Sequence, residues 1–155
     1  MLPGVVHFAT ESVVWGGGGR AFYDPGGEGL VLGRAFLVTA GQFSDIAAQE
    51  MYRQPGQDLD LAAVVARGRV EFGPGRYETV VCAGEMDGVP LLTFTAPWGV
   101  GDVESRPPSV AYLRHIVAGL REAGDWEGEE IAAYLGACPG VAGRWTAGDL
   151  LRLLP

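Results

Sequence analysis

One acidic side chain, Glu50, lies where the sequence pattern favours proton-transfer chemistry. The segment from Ala40 to Met51 is predicted to be a helix, and within it Phe43, Ile46, Ala47 and Glu50 recur at i, i+3, i+4 and i+7. A carboxylate on this apolar face would be desolvated, which raises its pKa toward the range of a proton shuttle. The alternative is that the helix ends one turn earlier, which would leave Glu50 solvated at a helix end.

Other catalytic chemistries find little support in the residue types. His7 and His115 fall in different predicted elements, without a His-x-x-x-His pair or a Cys/His cluster, so we expect structural or surface roles for both. No serine lies in a Gly-x-Ser-x-Gly elbow. All eleven basic residues are arginine, which excludes a P-loop lysine and a Schiff-base lysine. We therefore expect neither a metal nor an organic cofactor.

The bulk composition indicates one compact domain over residues 1–155. The chain is 48% hydrophobic with a net charge of −8, so its field repels nucleic acid and anionic membranes. Cys82 and Cys138 are too few for a disulfide framework, which favours a reduced, cytoplasmic setting. No stretch has the roughly 18 uninterrupted apolar residues of a membrane span.

Strands separated by glycine-rich turns are predicted through the first two-thirds of the chain. Turns are expected at Gly16–Gly19 and Asp24–Gly27, and Thr39 with Gln42 has the spacing of a capping box that starts the Ala40 helix. The predicted strands are Val5 to Thr10, Arg20 to Tyr23, Leu30 to Val38, Arg69 to Phe72, Tyr77 to Glu85 and Val89 to Thr95.

One short helix is predicted among these strands, and helices are predicted to dominate the remainder of the chain. The predicted segments are a short helix at Asp58 to Ala66, a helix capped by Ser109 and ending at Gly124, a helix capped by Asp125 and stopped by Pro139, and a short helix from Thr146 to Leu154. Strands followed by helices indicate an α+β fold. We expect a small curved or barrel-like mixed sheet with helices packed outside.

Three blocks of the sequence match a known family in order and spacing. They are Trp15-Gly16-Gly17-Gly18 before a strand, Ala48-Gln49-Glu50 at a helix end, and Glu104-Ser105-Arg106-Pro107-Pro108-Ser109-Val110-Ala111-Tyr112 at a helix start. Together they span about residues 4 to 123. In these blocks the chain resembles the γ-glutamylcyclotransferase-like (AIG2-like) family.

The resemblance implies a fold, a reaction and a set of site residues. The fold is a small closed sheet surrounded by helices, and the reaction cyclises a γ-glutamyl amine to 5-oxoproline with release of the amine. Glu50 matches the glutamate that moves a proton from the substrate's α-amine to the leaving nitrogen. Tyr112 matches a pocket tyrosine, its alternative being a half-buried helix residue. Trp15, Gly16 and Gly17 would shape one wall of the pocket, or form a turn with a buried indole.

The chain also departs from the family pattern. It has no Tyr-Gly-Ser-Asn segment, whose backbone N–H groups hold the substrate in the family, and its first residues match the family's second strand. We therefore expect the domain to be N-terminally incomplete. Met51 stands where the family usually has glycine.

Three hypotheses for function stay open at this level. The first is an enzyme acting on a small γ-glutamyl compound, and the second is a catalytically silent module that binds an amino-acid-like ligand. The third is an interaction protein that completes its sheet with a strand from a partner or from a second copy, giving a homodimer. The sequence does not distinguish which of four arginines would bind a ligand carboxylate: Arg53, Arg76, Arg106 or Arg114.

Overall fold

The computed structural model describes residues 1–124 and 126–154 and shows an α+β protein. The chain divides into two compact units. One contains Pro3–Arg34 together with the chain from Trp98 onward, and the other contains Ala35–Pro97. None of the described helices is long and apolar enough to span a bilayer.

Seven strands and five helices are present in the described residues. The strands are β1 (Leu2–Pro3), β2 (Val5–Glu11), β3 (Gly19–Asp24), β4 (Leu30–Val31), β5 (Arg69–Glu71), β6 (Thr79–Met86) and β7 (Val89–Thr95). The helices are α1 (Ala40–Glu50), α2 (Leu61–Arg67), α3 (Val110–Ala123), α4 (Gly128–Ala137) and α5 (Ala147–Leu151). They form sheets in the orders β1-β4, β2-β3 and β5-β6-β7.

The first unit is built on the antiparallel β2–β3 hairpin. His7 lies opposite Phe22, and the register shifts between Ala9 and Glu11. The residue at this irregularity, Thr10, has a φ of 52°, which is uncommon for a β-branched side chain. The irregularity turns the chain out of the ladder where the hairpin leads into the glycine run.

Helices α3, α4 and α5 pack against one face of this hairpin. Ser109 caps α3 by accepting a hydrogen bond from the Tyr112 N–H, as the sequence predicts, and the helix stops at Gly124. The buried core comprises Phe8, Leu113, Val117, Leu120, Ile131, Ala132, Leu135, Cys138, Val141, Leu150 and Leu153. The predicted cap of α4, Asp125, lies outside the described residues, and Glu127 is the N-cap in the structure.

The second unit packs α1 and α2 against the antiparallel β5-β6-β7 sheet. The predicted capping box is confirmed, since the Thr39 hydroxyl accepts from the Gln42 N–H and the Gln42 side chain accepts from the Thr39 N–H. The buried cluster of this unit comprises Ala47, Met51, Val64 and Val80.

Two predictions about the sheets were wrong. No single curved or barrel-like mixed sheet is present in the described residues, which form three small sheets instead. The strand predicted from Leu30 to Val38 is only two residues long, and Phe36 and Leu37 are exposed. Its partner β1 is equally short and ends at Pro3, which has no N–H to extend the ladder.

Candidate functional site

Two sequence blocks that are about 90 residues apart meet in the first unit. The Gly19 N–H donates to the carbonyl oxygen of Pro107 at 2.8 Å, and the Nε–H of Arg106 donates to the carbonyl oxygen of Gly17 at 2.8 Å. A Cβ atom at Gly18 would lie 2.3 Å from the Ser109 nitrogen, which leaves no room for a side chain. The glycine run is therefore the surface on which the second block is seated.

Trp15 and Tyr112, both proposed from the sequence to contact a substrate, are brought together. Their rings stack with centroids 4.9 Å apart and planes inclined by 22°, and both residues are half-buried. The Tyr112 hydroxyl accepts a hydrogen bond from the Ala21 N–H at 3.3 Å. The imidazole of His115 stacks on the indole of Trp15, with ring centroids 5.6 Å apart. Tyr112 is thus a half-buried helix residue, as one of its two interpretations predicted, and its contact with a substrate stays a prediction.

Gly16 and Gly17 form a left-handed turn next to Trp15. Their φ angles are 68° and 85°, a region that favours glycine. The Gly17 N–H closes the turn by donating to the carbonyl oxygen of Ser12 at 2.8 Å. Gly16 is exposed and a Cβ there would meet nothing within 4 Å, whereas Gly17 lines a cavity. Of the two glycines, only Gly17 is placed to shape a binding site.

The cavity beside Gly17 has a volume of about 580 Å³ and lies wholly within the first unit. A bridge between Ala9 and Ser105, with an N–H···O bond of 2.8 Å from Arg106 to Phe8, holds the second block alongside β2. The cavity is lined by Thr10, Gly17, Val103, Glu104, Ser105, Arg106, Pro107 and Arg144. The volume is in the range that accommodates a small molecule.

The charged groups of the cavity differ in whether they already have partners within the protein. Arg106 is bound by the Glu11 carboxylate at 3.3 Å, in addition to its bond to the Gly17 carbonyl. Arg144 and Glu104 are exposed, and in the described part of the chain neither makes an ion pair. The buried Thr10 hydroxyl has no hydrogen-bond partner among the described residues. Arg144 and Glu104 are therefore charged groups at the cavity without an ion-pair partner among the described residues, and the Thr10 hydroxyl is a buried group without a hydrogen-bond partner among them.

Sequence reasoning missed Thr10, Glu104 as a charged lining residue, and Arg144. The only signal for Thr10 was its position at a strand end before the glycine run. Arg144 had none, because it follows Val141 in a turn after α4 and reaches the cavity only through tertiary packing.

Of the two interpretations of Glu50, the one that placed it on a buried apolar face was wrong, and the one that left it solvated at a helix end is confirmed. Glu50 is the last residue of α1 and is exposed, as is Ile46. The face that packs is offset by one position and consists of Ser44, Ala47, Ala48 and Met51, which also follow the i, i+3, i+4, i+7 pattern.

The buried serine explains the offset. Its hydroxyl donates to the Ala40 carbonyl at 2.9 Å and accepts from the Leu59 N–H at 3.1 Å, so a polar residue is satisfied on the packed face. Because Glu50 lies outside this packed face, it lacks the burial that would favour a proton shuttle. Its catalytic role stays a prediction. Glu50 belongs to the second compact unit, whereas Trp15 and Tyr112 belong to the first.

The four arginines considered as carboxylate ligands have different surroundings. Arg53 forms an ion pair with Glu78 and donates to the Phe72 carbonyl at 2.9 Å. The Gly75 N–H, and secondarily Arg53, lower the pKa of Glu78 below its ordinary value. Arg53 therefore has a structural partner. Arg114 is exposed on α3 and Arg76 is half-buried, and neither lines the cavity.

The two histidines take separate positions in the first unit. His7 is fully buried, 5.7 Å from the Phe22 ring, and desolvation lowers its pKa below 6.5 while Asp24 opposes the shift. Neither ring nitrogen has a hydrogen-bond partner in the described structure. Within the described residues, no group of three or more His, Cys, Asp or Glu side chains is arranged to hold a metal ion.

Comparison with known proteins gives one partial match to a curated protein. A protein named histone deacetylase 5, from Arabidopsis thaliana, is 33% identical over 151 residues, which cover 86% of this chain and 23% of that protein. The chain therefore spans about a quarter of the length of this curated relative. Neither a family model nor a solved structure matches the chain.

Proposed function

We propose that this chain is a γ-glutamylcyclotransferase-like domain that binds a small γ-glutamyl compound and cyclises it to 5-oxoproline. One observation carries the proposal. Two blocks of the family resemblance, far apart in sequence, contact each other through Gly17–Gly19 and Arg106–Ser109 and line a common cavity. The contact between the two blocks and the cavity of about 580 Å³ beside them support the proposal.

The proposed reaction needs little chemistry from the protein, because the nucleophile is the substrate's own α-amine. The protein must hold the chain of the substrate in a folded conformation, accept the amine proton and deliver a proton to the leaving nitrogen. Under the resemblance Glu50 moves the proton. Under the same resemblance Trp15 and Tyr112 would contact the substrate; their rings stack on each other, and neither residue lines the cavity.

Replacing Glu50 with glutamine tests the catalytic part of the proposal. The purified chain is incubated with a panel of γ-glutamyl amines, and 5-oxoproline is quantified by mass spectrometry. Glu50→Gln is expected to reduce turnover at least 100-fold, which is the lower range for loss of a general acid–base group. Glu85→Gln is the matched control, because Glu85 is also an exposed glutamate of the second unit. Equal turnover by both variants would refute a catalytic role for Glu50.

A second candidate function is a catalytically silent module that binds the same class of ligand. The exposure of Glu50 favours it, because a solvated carboxylate lacks the environment that usually tunes a proton shuttle. The two candidates differ in a direct way. The module would bind a γ-glutamyl compound without releasing 5-oxoproline, and Glu50→Gln would leave that binding unchanged.

Deacetylation is not part of the proposal. The name histone deacetylase 5 describes a protein of which this chain matches less than a quarter. His7 lies against the Phe22 ring in a tilted arrangement and His115 stacks on the Trp15 ring, so the two histidines do not form the pair on which a zinc hydrolase would depend.

A further inference from the structure

The Gly17–Gly18 peptide is held differently from the peptides on either side of it. The preceding peptide is fixed by the Gly17 N–H, which donates to the Ser12 carbonyl oxygen at 2.8 Å, and the following one by the Gly18 carbonyl oxygen, which accepts from the Ser12 N–H at 2.9 Å. Within the described residues the middle peptide has one hydrogen bond, which the Gly17 carbonyl oxygen accepts from the Arg106 Nε–H at 2.8 Å. Its orientation therefore depends on a single side chain.

A peptide between two glycines can rotate at little cost. The rotation changes only ψ of the first residue and φ of the second, and a glycine has no Cβ atom that restricts either angle. Gly17 is already left-handed, with a φ of 85°. The N–H and the carbonyl of a trans peptide point in opposite directions, so a half-turn exchanges the positions of the Gly17 carbonyl and the Gly18 N–H. The two bonds to Ser12 belong to the neighbouring peptides and are kept.

The Arg106 side chain is placed to select one of these two orientations. A guanidinium can only donate hydrogen bonds, so it favours the orientation in which a carbonyl, rather than an N–H, faces it. Its terminal nitrogen lies 3.3 Å from the Glu11 carboxylate, and the Arg106 backbone N–H donates to the Phe8 carbonyl oxygen at 2.8 Å. Because the guanidinium is a rigid fork, the contact with Glu11 also directs its Nε–H. A hydrogen bond from a charged donor favours one orientation by about tenfold or more.

We propose that Arg106 is a positioning residue, whose Nε–H selects the orientation of the Gly17–Gly18 peptide while Glu11 holds the guanidinium for this bond. Gly17 and Arg106 both line the cavity, so the selected orientation is part of the surface that a ligand meets. Among the four arginines considered as carboxylate ligands, Arg106 thus has an internal role instead. This role deepens the proposed function, and it rests on that function for its kinetic test.

NMR of the full chain, labelled with ¹³C and ¹⁵N, tests the selection directly. In the wild-type chain, the Arg106 Nε is expected to show a through-hydrogen-bond coupling to the Gly17 carbonyl carbon. Arg106→Met removes the donor, so the Gly17 carbonyl ¹³C and the Gly18 ¹⁵N resonances should shift, or broaden through exchange between the two orientations. The amide resonance of Ser12 should stay in place, because its bond to the Gly18 carbonyl does not involve Arg106.

Two further variants separate the hydrogen bond from other effects. Glu11→Gln keeps the Nε–H donor, so it should change the same two resonances less than Arg106→Met does. Arg114→Met is the matched control, since Arg114 is exposed in the same unit and does not line the cavity. The proposal is overturned if the wild-type chain lacks the coupling. It is also overturned if Arg106→Met leaves the Gly18 resonance unchanged or shifts the Ser12 amide equally, as a merely structural role would.

Kinetics of 5-oxoproline release distinguish this role from the proposed reaction. Without the donor, about half of the chains keep the wild-type orientation, so Arg106→Met is expected to raise KM about twofold with kcat unchanged. A lower kcat at unchanged KM would contradict the positioning role. The expected NMR result in a wild-type chain that releases no 5-oxoproline supports the positioning role and refutes the enzyme. Turnover by a chain without the coupling supports the enzyme and refutes the positioning role.

Discussion

Replacing Gly19 with alanine probes the contact between the glycine run and the Arg106–Ser109 segment. A Cβ atom at Gly19 would lie 2.1 Å from the carbonyl oxygen of Arg106 and 2.9 Å from its carbonyl carbon. Real Cβ atoms are essentially never closer than 3.0 Å to such neighbours, so the two backbone segments must separate by about 1 Å. Because the clash is with backbone, no rotation of a side chain can relieve it.

Two effects of this separation are expected to lower the free energy of unfolding. Overpacking a close contact costs about 1 to 3 kcal/mol, and a clash with backbone belongs at the upper end. The same shift lengthens the 2.8 Å hydrogen bond from the Gly19 N–H to Pro107, which is worth about 1 kcal/mol. We expect Gly19→Ala to lower the free energy of unfolding by about 3 kcal/mol, or the melting temperature by about 6 to 12 °C.

Urea unfolding followed by tryptophan fluorescence measures this loss, because the indole of Trp15 lies next to the glycine run. Gly101→Ala is the matched control, since a Cβ there meets nothing within 4 Å and the residue lies in the same unit. Gly101→Ala should leave the free energy of unfolding within about 0.5 kcal/mol of the wild-type value. The reasoning is refuted if the two variants are equally stable.

Two further predictions concern titratable groups in the first unit. Burial holds the pKa of His7 below 6.5, so the unfolded chain takes up its proton first and stability is lost as the pH falls through about 6.5. His7→Phe should abolish this part of the loss, measured as urea midpoints near pH 7.5 and 5.5; an unchanged pH slope would contradict it. Burial raises the pKa of Cys138 to about 11, so a thiol reagent should modify partly exposed Cys82 quickly and Cys138 only after denaturation. Rapid modification of two thiols in native protein would contradict this.

Local signals in the sequence were sufficient to place most helix starts. Thr39, Ser109 and Thr146 each cap the helix that was predicted to follow them, because a hydroxyl acting on an N–H three residues later is a purely local interaction. The strand Val89–Thr95 was also predicted with its exact bounds.

Predictions failed where the outcome depended on a distant partner. The strand predicted from Leu30 stopped at Val31, because its partner is two residues long. The packed face of α1 was offset by one residue, because Leu59, fifteen positions after Ser44, donates the hydrogen bond that lets a serine be buried. Neither partner could be identified from the periodicity of the element itself.

The sequence by itself determined the α+β class, the helix caps and the turn at Gly16 and Gly17, since these depend on neighbouring residues and on the conformational freedom of glycine. Only the tertiary structure decided that Trp15 stacks on Tyr112 and that Arg144 joins Glu104 at one cavity. These residues are brought together by the burial of the hydrophobic core around Phe8 and α3, a long-range effect that no local pattern encodes.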